Sequence, residues 1–166
     1  MTPPILNIAD LPLHEQGHGE RFQGSFALIG ERLGAKKLGY NLTVLAPGKR
    51  AFPFHNHRVN EEMFFVVAGR GEIRIGNERH PIRQGDVIAC PPGGPETAHQ
   101  IINTSEAELR YLAVSTKLSP EIAEYPDSKK FGVLAELSPA TESHPAETFR
   151  FVGRTEGGLD YWDGEE

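Results

Sequence analysis

Three histidines and one glutamate stand at spacings that let them meet. Residues 48–69 run G-KRAFPF-H-N-H-RVNE-E-MFFVVA-G and place His55, His57 and Glu62 close together. Residues 85–103 run G-DVIAC-P-P-G-GPETA-H-QII-N and supply His99. Three neutral imidazoles and one carboxylate suit a divalent transition metal such as zinc, iron, manganese, nickel or cobalt, and they leave open positions in an octahedral shell. A cation with open positions can polarise a carbonyl or activate water or dioxygen. The donor set does not choose among these metals.

The surrounding residues indicate how such a site is held. His55 and His57 are two apart, so on a strand they point to the same side. Arg58-Val59-Asn60-Glu61 is polar enough to turn the chain. The apolar run 62–68, rich in aromatic and β-branched residues, has the length and composition of a buried strand. Gly69-Arg70-Gly71 predicts a tight turn, and 72–75 alternates polar with apolar like a half-buried strand. The histidine pair and Glu62 therefore sit on neighbouring strands, and His99 arrives from a more distant one. Glu61 and Glu62 point to opposite faces of their strand. The apolar run fills both faces, so the pattern leaves the choice of ligand open. His14, His18, His80 and His144 lie in polar, Gly- or Pro-flanked stretches and read as surface residues.

Strands are expected over 25–29 (an outer strand), 38–45, 62–68, 71–75, 79–82, 87–90, 99–102 and 109–115, with Leu38, Tyr40, Leu42 and Val44 on one face. Ser119-Pro120-Glu121 reads as a helix start, with Ser as N-cap and Pro at the first position, cut short by Pro126. A further strand or two and a tail follow Phe131. Leu159, Tyr161 and Trp162 are expected to dock on the core and tether the chain end.

Composition agrees with one all-β domain. The chain has 166 residues, 18 Gly and 13 Pro, suited to short strands and turns rather than long helices. No apolar run reaches membrane-spanning length, and the N-terminus has no signal-peptide pattern. The single cysteine, Cys90, forms no internal disulfide and suits a reducing cytoplasm. With a net charge of −6 and no basic cluster, nucleic acid is not an expected partner.

The two segments resemble the paired motifs of the cupin superfamily, G-x5-H-x-H-x3,4-E-x6-G and G-x5-P-x-G-x2-H-x3-N. Here six residues rather than five separate Gly48 from His55, and residues 94–98 put five where two are usual, lengthening a loop near the expected mouth. The resemblance implies a single-domain jelly-roll barrel (double-stranded β-helix) with a short helical turn and a C-terminal tail. It would span 1–166, with a core over about 38–116, an N-terminal arm 1–37 and a C-terminal extension 117–166. It also implies that His55, His57, Glu62 and His99 bind the metal, with Glu62 preferred by motif spacing, and that the chain forms a homodimer. The edge 25–29 is then a reasonable exchange surface. Stretches such as 38–42, 124–129 and 160–165 are similar to a group of mostly uncharacterised single-domain bacterial cupins, some labelled sugar-phosphate isomerases. The function implied is that of a metal-binding cupin acting on a small polar molecule, such as a sugar-phosphate isomerase. An iron-dependent dioxygenase-type oxidoreductase and a non-catalytic small-ligand-binding module are the alternatives. Glu96 or Glu61 are open choices for a proton-transferring base, and Lys49, Arg50, Arg58 or Arg110 for a phosphate-binding cation.

Overall fold

The computed structural model describes residues 4–138 and 145–165, so His144 and Glu166 lie outside the described residues. Its strands are β1 (His14–His18), β2 (Phe22–Leu28), β3 (Leu38–Leu45), β4 (Asn56–His57), β5 (Glu62–Ala68), β6 (Arg70–Ile75), β7 (Glu78–Arg83), β8 (Val87–Cys90), β9 (His99–Ile102), β10 (Leu109–Thr116), β11 (Glu121–Tyr125), β12 (Lys130–Ser138) and β13 (Glu147–Gly153). Three short 3-10 turns are the only helical pieces among the described residues.

One antiparallel sheet has the order β1-β2-β3-β10-β5-β8, a second β7-β6-β9, and a third β13-β12-β11-β4. The second and third meet at a bridge between His55 and His99, whose backbone N–H groups donate to each other's carbonyls at 3.2 and 2.8 Å. The result is an all-β barrel. Its main core draws on both layers: Leu45, Val66, Leu109 and Tyr111 from one, Ile73, Ile82 and Ile101 from the other. Leu45 and Leu109 are fully buried, each worth about 2 kcal/mol relative to exposure.

Alternation along β3 holds, with a twist in its meaning. Leu42 and Val44 do share a face, but they pack with Ala27 and Ile29 against Ile8, Leu11 and Leu33 of the N-terminal segment. The face turned to the main core carries Leu45 and the buried Thr43, whose hydroxyl donates to Asn41 Oδ1 at 2.8 Å.

Three expectations are corrected. Strand 25–29 is not an edge: β2 lies between β3 and β1, and β1 pairs with it from His14↔Phe26 to His18↔Phe22. No helix starts at Ser119. Residues 121–125 form β11, pairing with β4 through Ala123↔His57 and Glu124↔Asn56 and with β12 on its other side. The Ser119 hydroxyl accepts from the N–H of Glu136 at 2.8 Å instead of capping a helix. Finally, Leu159, Tyr161 and Trp162 do not dock. They are 80%, 83% and 69% exposed, and the two aromatic rings lie against each other with centroids 4.7 Å apart.

Candidate metal centre

The ligand candidates come from β5, β9 and the 55–57 segment that ends in β4. Asn56, between the two histidines, points the other way: its amide donates to Gly93 O and Glu124 Oε2, both at 2.8 Å. Gly93 N–H donates back to His57 O at 2.8 Å. These bonds tie the loop after β8 to the histidine pair. His99 opens β9, which is buried throughout, and Glu62 opens β5 opposite Cys90.

One potential ligand atom from each of His55, His57, Glu62 and His99 lies within 4.8 Å of all the others. Ligands about 2.2 Å from a shared cation stand at most about 4.4 Å apart, so closing on an ion needs only a small contraction. His57 Nδ1 and Nε2 are buried, and among the described residues each has only a carboxylate oxygen at 3.4 Å, of Glu121 and Glu62 respectively, so a cation at Nε2 would complete the coordination of that nitrogen. His55 Nδ1 meets Pro53 O at 2.8 Å and His99 Nδ1 meets Thr97 O at 3.3 Å. A proton on each Nδ1 leaves each Nε2 lone pair free to face the centre. The four residues thus fit a divalent cation.

Electrostatics agree. Burial, then the charge of His99, lowers the His55 pKa to about 4, so its ring is neutral near pH 7. Burial opposes charge on His57 too, but Glu62 and Glu121 outweigh it and raise its pKa. Burial alone would raise the pKa of Glu62; hydrogen bonds and charge from His57 and His99 hold it well below the usual range. His57 Nε2 and His99 Nε2 stand 3.4 and 2.9 Å from Glu62 Oε2.

Glu62 is the carboxylate at the centre, and Glu61 is exposed on the far side. Glu96 turns back on its own loop, accepting from Gly94 N–H at 2.9 Å. Neither open choice of base is therefore placed against the cluster. Among the described residues, none of the four named cations is free beside it. Lys49 Nζ donates to Glu20 O at 2.6 Å, Arg58 pairs with Glu124 and Arg110 with Glu108, each at 2.8 Å. Arg50 lines a different cavity. His14, His18 and His80 are exposed, as expected.

Two residues that sequence reasoning passed over complete the surroundings. The buried Glu121 carboxylate accepts backbone N–H groups from Arg58 and Val59 at 3.2 Å and from Asn60 and Ile122 at 2.8 Å, as well as the Asn60 amide. The same carboxylate stands 3.4 Å from His57 Nδ1. It therefore shapes the 58–60 turn and backs one ligand at once. Tyr125 stacks on His55 with ring centroids 6.1 Å apart, and burial raises its pKa. Reading 121–125 as a strand would have put Glu121, Ala123 and Tyr125 on one face.

Comparison with known proteins agrees with this architecture. Residues 41–115 match the family model described as a cupin domain. A sugar phosphate isomerase of the cupin superfamily from Silicibacter pomeroyi superposes with a TM-score of 0.74 at 24% identity, covering 96% of this chain and 98% of that one. Auxin-binding protein 1 of Arabidopsis thaliana is 30% identical over 133 residues, 75% of this chain and 65% of the relative. The oxalate-binding protein of Thermotoga maritima is 31% identical over 70 residues, 42% of this chain and 54% of the relative. The chain spans about half to two thirds of the length of the first three curated relatives it matches. Among the described residues, no helix is long and apolar enough to cross a membrane.

Proposed function

We propose that His55, His57, Glu62 and His99 ligate one divalent transition metal, and that the chain acts there on a small polar molecule. The finer reading is aldose–ketose isomerisation of a sugar phosphate. The observation that carries the metal site is the convergence of four potential donor atoms within 4.8 Å of one another. When bound, the cation would polarise a carbonyl beside a hydroxyl. Glu121 fixes the His57 ring, and the neutral Tyr125 phenol offers a proton donor beside His55. The isomerase reading draws support from the name of the Silicibacter pomeroyi neighbour; the phosphate rests on that name alone, since none of the four named cations is free beside the cluster.

The test is to load the protein with zinc, manganese, cobalt, nickel or ferrous iron in turn. Pentose and hexose phosphates, and the free sugars, are then followed by proton NMR in heavy water. Metal-dependent exchange at the carbon next to the carbonyl, with aldose–ketose interconversion, is expected. Absence of exchange with every metal refutes the isomerase reading. Oxygen uptake with ferrous iron alone transfers the site to dioxygenase chemistry.

We also propose a single cupin domain over 1–166, working as a homodimer in the cytoplasm. The exposed Leu137, Phe149 and Phe151 of the β12–β13 hairpin support the dimer, and the lone buried thiol of Cys90 supports the compartment. Light scattering on the purified protein checks the first.

A further inference from the structure

Along β9, His99 and Ile101 face the metal cluster and core, so Gln100 faces away. On that outer side, the residues before His55 and the first two strands enclose a cavity of about 490 Å³. Phe22, Phe26 and Phe52 form its apolar wall, the last two with ring centroids 5.4 Å apart. Arg50 lines it, with its guanidinium carbon 5.8 Å from the centre of the Phe22 ring. Among the described residues its Nε is buried without a hydrogen-bond partner, and its side chain makes one long hydrogen bond, Nη1 to Gln100 Oε1 at 3.5 Å. Gln100 is itself fixed, donating to Phe52 O at 2.7 Å.

The cavity's charge is unbalanced. Arg50 and Lys130, both on the lining, make no ion pair among the described residues. The one carboxylate on the wall, Asp127, is already gripped by Arg74 through both oxygens, at 3.1 and 2.8 Å. Burial first, then the charges of Arg21 and Arg79, lower the Arg50 pKa, with Asp127 only partly opposing them. A half-buried cation short of a counter-ion, set in an aromatic enclosure, is complementary to a flat body carrying one negative group. A bare inorganic anion would leave the phenylalanines unused, and a neutral arene would leave the Arg50 guanidinium without a counter-ion.

We propose that this cavity is a second binding site, separate from the metal centre, for an aromatic carboxylate whose ring lies against Phe22, Phe26 and Phe52 and whose carboxylate sits on Arg50. The probes are 2-naphthoate and its neutral counterpart 2-naphthamide, titrated calorimetrically into the purified metal-loaded protein. One saturable site per chain is expected, with the carboxylate bound about tenfold or more tighter than the amide, the scale of a charge-assisted hydrogen bond. Arg50→Gln should remove that advantage while leaving the amide's affinity unchanged. The double variant His55→Ala/His57→Ala should retain naphthoate binding, which separates this cavity from carboxylate capture by a metal. If Arg50→Gln does not fold, Phe52→Ala, at a residue that is 44% exposed, should weaken both probes together. No saturable binding, equal affinity for acid and amide, indifference to Arg50→Gln or Phe52→Ala, or loss of binding in the histidine variant would each overturn the assignment.

Discussion

Glu121→Gln is the substitution whose effect the structure defines most sharply. The glutamate is 7% exposed, and every oxygen lone pair it offers is in use. One oxygen accepts three backbone N–H groups, from Arg58, Val59 and Ile122; the other accepts the Asn60 N–H and the Asn60 side-chain amide. Glutamine keeps one acceptor oxygen and replaces the other by a donor, so at least two buried donors lose their acceptor whichever way the amide turns. An orphaned buried donor costs about 1–3 kcal/mol, which puts the loss at roughly 3 kcal/mol after some relaxation. For a domain of this size each kcal/mol moves the melting temperature by about 2–4 °C, so a drop of roughly 6–12 °C is expected by circular dichroism in chelator, where metal makes no contribution. Glu108→Gln is the control. Glu108 and its partner Arg110 have side chains 57% and 43% exposed, and such pairs are worth about 1 kcal/mol or less. In the absence of chelator, Glu121→Gln should also weaken metal retention about 10–100-fold, because His57 loses the group behind it. A variant that melts within about 2 °C of wild type and retains metal equally would refute the reasoning.

Asn103→Ala should destabilise by about 2–4 kcal/mol in urea unfolding, because this fully buried amide donates to Leu45 O and Ala107 O, both at 2.8 Å, and accepts from Ser105 N–H and Oγ. Cys90 should resist iodoacetamide at pH 8 in the native protein and react fully in denaturant, since burial, and then Glu62, pushes its thiol up to about 12. Rapid native labelling would contradict that. Deleting 159–166 should leave the melting temperature of the barrel unchanged, because Leu159, Tyr161 and Trp162 lie on the outside; a fall of several degrees would show that the tail is held.

Strands with apolar alternation or continuous apolar runs are legible in the sequence: 38–45, 62–68, 87–90 and 99–102 coincide with β3, β5, β8 and β9. Gly69 illustrates why turn positions read so well. Its φ is +85°, and a Cβ there would collide with Glu108 O, so glycine is required at the β5–β6 turn. The candidate donors are legible because His-x-His fixes a shared side without knowledge of the fold. What stays hidden depends on contacts distant in sequence. The His14–His18 strand has no apolar residue to announce it and exists through pairing with β2. Ser119-Pro120-Glu121 carries a local helix signal that pairing with the 56–57 segment overrides. Glu121 is invisible as a supporting residue for the same reason, since its donors lie some sixty residues upstream.

The central claim is that four named side chains hold one divalent metal, and elemental analysis of the purified protein beside the His55→Ala/His57→Ala variant tests it most directly. The account predicts close to one equivalent of a transition metal per wild-type chain, and little or none in the folded variant. A wild-type protein that stays metal-free after incubation with each candidate ion, or a variant that retains metal as well as wild type, would contradict it.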